Sequence, residues 1–249
     1  MSTNAPRPTK AERKEAARDK ARRMREEAEA RQRRNRRLAV AGAVIGVLLV
    51  VVAIGAIVQA GRSNVSDTTA TPSGLVDNGI RTGPADAPEV AVYLDYACPA
   101  CAQYEAQDGE WLVDKAEAGE IALVHKPIAI LDRYSTTEFS TRAASAAACV
   151  GETSPEAFPE FNRLMFVNQV AEQGPGMTNE EIWSIAETAG ADPEAEQCVL
   201  EERYTGWVAN ATDAASQAGV QGTPTVMVEG EILQDRSREA VEAAVAAAG

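Results

Sequence analysis

The chain has 249 residues, with 24 Lys and Arg against 37 Asp and Glu and a formal net charge of −13. That length suits one good-sized domain with accessory segments, and the acidic balance speaks against strongly acidic partners, nucleic acid among them. Its four cysteines form one close pair, Cys98 and Cys101, and two singles, Cys149 and Cys198, which argues against a four-ligand zinc site built from two close pairs.

The charge is segregated along the chain. Residues 1–37 hold 14 Lys and Arg against 6 Asp and Glu, a balance of +8, while the remainder carries −21. This basic tail is rich in Ala, Glu and Lys/Arg but has no apolar stripe, so it reads as a solvated, partly helical arm suited to anionic lipid headgroups. No base-stacking aromatics accompany its charge, and no nucleic-acid partner is expected. Residues 38–60 form an uncharged run of 23, which as helix spans roughly 34 Å, enough for a hydrocarbon core of about 30 Å. The cluster Arg31, Arg33, Arg34, Arg36 and Arg37 abuts it, so the positive-inside rule leaves the tail in the cytoplasm and the rest of the chain outside. Val58-Gln59-Ala60 offers a cleavage site, but the charged segment is longer than a signal peptide's and the apolar run exceeds the usual about 7–15 residues, which favours an uncleaved anchor.

Residues 61–74, rich in Ser, Thr, Gly and Asn, read as a flexible linker, and the folded domain is expected over residues 75–249. It should begin with a short strand from about Gly74 to Ile80, followed by a strand over 89–95, a helix from Cys98 and a strand over 121–126 that Pro127 ends. A helical insertion over about 135–217 comes next, starting with the Ala-rich run 137–149 and then Phe158, Phe161 and Met165 at helical spacing. Thr178-x-x-Glu181 is a capping box before Ile182 and Ile185, with Gly190 as the stop. Asp192-Pro193 opens a helix carrying Cys198, and another helical stretch ends at Gly219. A β-branched run at 225–228, the turn Glu229-Gly230 and a helix over 237–248 complete the chain.

Cys98-Pro99-Ala100-Cys101 is the motif that carries chemistry. It follows the apolar run 90–94 and opens a helix, where free N–H groups and the positive end of the helix dipole favour a thiolate at Cys98. Cys98 is therefore the expected nucleophile, and Cys101, one turn further in, can resolve a mixed disulfide. Pro99 fits a first turn that has no use for its missing N–H.

The segments 95–101 and 219–225, with Gly222-Thr223-Pro224-Thr225 at the mouth of a strand, resemble the DsbA-like branch of the thioredoxin superfamily. The resemblance covers roughly residues 75–249. It implies an α/β thioredoxin fold split by a helical subdomain, no cofactor and no metal, and a Pro224 that is cis, faces the dithiol and, with Thr223, shapes the substrate groove. By itself, a Thr-Pro at a strand mouth reads equally as a trans first-strand proline. Two departures bear on redox power: Ala100 stands where the strong oxidants of the branch usually have His, and Thr223 where they often have Val. Thiolate stabilisation is therefore expected to be weaker than in those oxidants. The strand before the motif also lacks the buried acid of many relatives. Asp95, at its end, reads as a cap for the following turn or as a proton relay.

Relatives in this branch carry a second disulfide in the insertion, which implies pairing of Cys149 with Cys198. Two unpaired cysteines outside the cell would be unusual, and the rival readings are buried free thiols or a shuttle pair. His125, the only histidine, reads as a strand-end or surface residue, with a general-acid role as the alternative; Trp111 and Trp207 read as packing residues. The expected function is an extracytoplasmic thiol-disulfide oxidoreductase that donates disulfides to exported proteins and is recycled by a membrane redox partner. Reductase or isomerase activity, or a non-enzymatic binding module on the same fold, are the alternatives.

Overall fold

The apolar run ahead of the cysteine pair forms the middle of a five-stranded sheet. In the computed structural model, residues 70–170 and 173–248 are described; the basic tail, the apolar run at 38–60 and most of the linker lie outside the described residues. Among the described residues, no helix is long and apolar enough to cross a membrane. Strands β1 (Ile80–Thr82), β2 (Glu89–Leu94), β3 (Ala122–Pro127), β4 (Thr225–Val228) and β5 (Glu231–Ile232) lie in the order β1-β3-β2-β4-β5. β2 runs parallel to β3 with Val92 opposite His125, and antiparallel to β4 with Val92 opposite Val226.

A parallel pair needs a helical crossover and so ends up covered on both faces, which is why β2 is apolar without alternation. On one face Val90, Val92, Leu123 and Val226 pack with Leu112 and Val241. These come from α2 (Glu110–Glu117) and α8 (Arg238–Ala248). On the other, Ala91, Tyr93, Val124 and Met227 meet Ala215 of α7 (Thr205–Gln217). The first helix, α1 (Pro99–Tyr104), runs into α2 through a π-helical turn over Glu105–Gly109, which the sequence reading took as continuous α-helix.

The expected strand from Gly74 is a turn instead. Val76 and Gly79 exchange backbone hydrogen bonds of 2.9 and 2.8 Å, with Asp77 and Asn78 both at positive φ, the backbone of a tight two-residue hairpin. β1 is accordingly confined to three residues.

Between β3 and β4 lie α3 (Phe139–Thr153), α4 (Phe158–Val167), α5 (Asn179–Thr188), α6 (Glu194–Leu200) and α7. α3 is the hub because its alanines are small: Ala143, Ala144, Ala146, Ala147 and Ala148 are all buried, so helices approach it from several sides. Its start falls two residues later than expected, because Glu138 adopts a left-handed backbone and Ser135 Oγ accepts from the N–H groups of Thr137 and Phe139. The capping box at the head of α5 has both of its hydrogen bonds, Glu181 N–H to Thr178 Oγ1 (3.2 Å) and Thr178 N–H to Glu181 Oε2 (2.7 Å). Cys149 of α3 and Cys198 of α6 are joined by a disulfide, S–S 2.01 Å, across 49 residues.

Candidate active site

Cys98 is the N-cap of α1, with φ −84° and ψ 114°, and Pro99 occupies the first helical position. The turn from β2 is closed by Cys98 N–H donating to the Asp95 carbonyl (2.9 Å). The N–H groups of Cys101 (3.1 Å) and Ala102 (3.2 Å) then donate to the Cys98 carbonyl. Both cysteines are free and buried, at 7% and 2% exposure, while Pro99 and Ala100 between them are exposed. The dithiol therefore lies just below a surface made by its own motif.

The segment before β4 faces it. The Thr223–Pro224 peptide bond is cis, and Cys98 Sγ lies 3.3 Å from the Thr223 carbonyl, to which its protonated form donates. Arg236 Nη1 holds the Pro224 carbonyl (3.1 Å). Beside Ala100, a groove of about 320 Å³ opens between α1 and the loop before α8, lined by Gln103, Tyr104, Asp235 and Arg236 among others. The fold thus brings Cys98, Cys101, Thr223 and Pro224 to one place. Cys149 and Cys198 are instead committed to each other within the insertion.

The two thiols are made unequal by their surroundings. Hydrogen bonding from the Cys101 thiol, helped by the Thr223 side chain and the N–H groups of Cys101 and Ala100, outweighs burial and lowers the Cys98 pKa to about 5. Burial, reinforced by its bond to Cys98, pushes Cys101 far up. At neutral pH this arrangement holds a thiolate on the outer sulfur and a proton on the inner one. A pKa of about 5 falls between the roughly 3.5 of DsbA and roughly 7 of thioredoxin, in keeping with a motif that lacks a histidine.

Asp95 is the turn cap that its sequence position suggested, and it does more. It caps the turn, with Oδ1 accepting from Ala97 N–H (2.9 Å), but it is also fully buried. Oδ1 further accepts from Ser140 Oγ (2.6 Å), and Oδ2 from the N–H groups of Ile130 (2.9 Å) and Leu131 (3.0 Å). Burial raises its pKa to about 6, with those four donors pulling the other way. An acid is thus buried beside the motif after all, supplied by the turn rather than by the strand. Asp95 ties the motif to the chain after β3 and to α3.

His125 is likewise not at the surface. It sits inside β3 at 1% exposure, its ring 5.5 Å from that of Phe158 and its Nδ1 without a partner. Burial lowers its pKa to about 4, which suits a neutral packing residue and not a general acid. Trp207 is buried, and Trp111 packs partly buried against the α2–α8 face.

Other residues at the site escaped the sequence reading. Gln169 Nε2 donates to the carbonyls of Tyr96 (2.8 Å) and Cys98 (3.0 Å), and the Tyr96 hydroxyl donates to Asn162 Oδ1 (3.0 Å). Glu105, in the π-turn, has its pKa raised to about 7, chiefly by burial. A lone polar residue past a helix end carries no local signal of such a role.

The Thioredoxin family profile matches residues 76–247. The serine/threonine-protein kinase PknE of Mycobacterium tuberculosis (strain H37Rv) is 24% identical over 162 residues, covering 61% of this chain. The match covers 29% of the kinase, so this chain spans less than a third of that relative. Oxidised DsbA of Mycobacterium tuberculosis superposes with a TM-score of 0.60 at 28% identity, over 67% of this chain and 90% of that one. Reduced DsbG of the same organism gives 0.60 and 28%, over 71% and 88%. MdbA, a thiol-disulfide oxidoreductase from Corynebacterium diphtheriae, shares the fold with a TM-score of 0.60 at 22% identity, over 72% and 95%. A profile match across more than half of the sequence settles the family: the chain belongs to the thioredoxin family, and within it is similar to DsbA and DsbG of Mycobacterium tuberculosis.

Proposed function

We propose that this protein is a membrane-anchored, extracytoplasmic disulfide donor to exported proteins, working through Cys98 and Cys101. The observation that carries the reading is a free dithiol at the head of α1, with Cys98 at the N-cap facing the cis Thr223–Pro224 turn and Cys101 buried behind it, surroundings that lower Cys98 and raise Cys101. In the oxidised enzyme, a substrate thiolate attacks Cys98 Sγ, the Cys98–Cys101 bond breaks, and Cys101 departs and takes up a proton. A second substrate thiolate then attacks the substrate sulfur of the mixed disulfide, and Cys98 leaves as a thiolate. Two electrons pass from the substrate dithiol to the enzyme pair. A low leaving-group pKa speeds the second step and stabilises the reduced enzyme, which makes the enzyme disulfide oxidising. A membrane redox partner accepts the electrons and restores the disulfide, while Thr223 and Pro224 line the approach to Cys98. Support for the anchor and the orientation comes from the uncharged run at 38–60 and the five arginines before it.

The test is the equilibrium reduction potential of the full-length protein in glutathione buffers, with intact mass reporting which cysteines exchange. A value above about −200 mV is expected for a donor, whereas one near the roughly −270 mV of thioredoxin points to a reductase. No exchange at Cys98 and Cys101 overturns the enzymatic reading in favour of a binding module. Protease accessibility of the domain in intact cells checks the orientation.

A further inference from the structure

We infer that Gln169 is a positioning residue of the dithiol site: its side-chain amide, brought in from the helical insertion, clamps the turn between β2 and α1 and thereby sets the reactivity of Cys98. The inference rests on the exchange role proposed for Cys98.

Two carbonyls on this turn converge on one side chain: that of Tyr96, just beyond the end of β2, and that of Cys98, which also accepts from the helix N–H groups of Cys101 and Ala102. Gln169 Nε2 supplies both, at 2.8 Å to Tyr96 O and 3.0 Å to Cys98 O. Facing two acceptors, the amide must present its nitrogen there, and its two hydrogens serve one carbonyl each. The donor is itself fixed, since Gln169 N–H bonds to Phe166 O (3.2 Å) at the end of α4. The same helix grips Tyr96 from the other side: the Phe166 ring lies 5.1 Å from the Tyr96 ring, and Asn162 accepts from its hydroxyl at 3.0 Å. Tyr96 is thus held at its carbonyl and at its ring tip by residues of one helix and its C-terminal extension.

The consequence for Cys98 is geometric and electrostatic. One amide bridging the carbonyls of residues 96 and 98 fixes the backbone between them, and with it the N-cap conformation that places Cys98 Sγ at the head of α1, 3.3 Å from the Thr223 carbonyl. A donor on the Cys98 carbonyl also weakens the negative end of a dipole on the thiolate's own residue. Without it, that carbonyl keeps only the N–H groups of Cys101 and Ala102 as donors, and the Tyr96 carbonyl loses its side-chain donor.

The test compares three variants of the full-length protein: Gln169→Met, with similar reach but no donor; Gln169→Glu, with the same shape but only acceptors; and Gln169→Lys, which restores a donor. The rate of iodoacetamide alkylation against pH reads the Cys98 titration, and thermal unfolding is followed in parallel. In Gln169→Met the titration should move up by about half a unit or more, cutting the thiolate fraction below pH 5 about threefold. Gln169→Glu should move further up, and Gln169→Lys should return to or below the wild-type midpoint. A lowered melting temperature with an unmoved titration in all folded variants overturns the inference and leaves Gln169 a structural residue. Should Gln169→Met fail to fold, opposite displacements in the Glu and Lys variants sustain it, and equal ones overturn it. Failure of wild-type Cys98 to exchange disulfides is a separate result that sinks the functional reading itself.

Discussion

Cys98 and Cys101 share one turn of helix and the same chemistry, yet their environments drive their pKa values in opposite directions. The spacing was legible because two thiols at a strand-to-helix junction announce themselves by position alone. Their inequality was legible only in part, since the Cys101 thiol and the helix N–H groups follow from sequence while the Thr223 side chain that also lowers Cys98 comes from the far end of the domain. Asp95 shows the same limit: one of its four donors is two residues away, and the others are 35, 36 and 45 residues away. A carboxylate gathering donors from three elements looks, in sequence, like a turn cap. A definite pH profile follows from the Cys98 value. Its alkylation should be nearly flat above about pH 6 and fall about tenfold per unit below pH 5, because only the thiolate reacts. A profile still rising between pH 7 and 9 would assign Cys98 an ordinary thiol pKa and remove its claim to be the stabilised leaving group. The Cys101→Ser variant, which cannot resolve, should accumulate mixed disulfides at Cys98, detectable by mass.

At the scale of elements, the helices were the most legible part, since the capping box at Thr178 and the apolar spacing of Phe158, Phe161 and Met165 are local signals that the fold keeps. The π-turn over Glu105–Gly109 was not: it breaks no pattern of hydrophobicity, and it lies where the chain passes from α1, packed on α4, to α2, packed on the sheet. The disulfide between α3 and α6 belongs to this scale too. Both of its cysteines are buried at 0% and 1%, and it closes a separation of 49 residues across the hub helix. Chain-entropy reasoning for a loop of that length gives roughly 4 kcal/mol of stabilisation. A Cys149→Ala/Cys198→Ala double variant should therefore lose up to about 4 kcal/mol in urea unfolding while still exchanging disulfides at Cys98 and Cys101. Loss of exchange in a variant that remains folded would mean that the second pair shuttles electrons and is not merely structural.

For the whole molecule, sheet and insertion are joined through buried groups whose titrations oppose one another. His125 faces Phe158 of the insertion from within β3, and Asp95 binds Ser140 of α3 from the end of β2. Neither role could be read from a strand pattern, because both depend on which helix lands on that end of the sheet. The folded pKa of His125 is lowered to about 4 from 6.5, so the folded state takes up its proton less readily than the unfolded chain does. Its contribution is complete above pH 6.5 and is lost as the pH falls toward 4, by about 3 kcal/mol at roughly 1.4 kcal/mol per unit. Asp95 runs the other way. Its folded pKa is raised to about 6 from 3.8, so the folded state gains relative stability as the pH falls through 6 toward 3.8, again by about 3 kcal/mol. The two slopes nearly cancel in the wild-type protein, and removing one should expose the other. Relative to wild type, His125→Gln should become more stable on going from pH 6.5 to 4, and Asp95→Asn less stable, each by about 2–3 kcal/mol on top of any constant offset from altered packing. Urea unfolding of the three proteins at both pH values, with disulfides intact, measures those differences. A His125→Gln offset that is the same at pH 4 and 6.5 would show that the histidine is not held neutral by its burial between the sheet and α4.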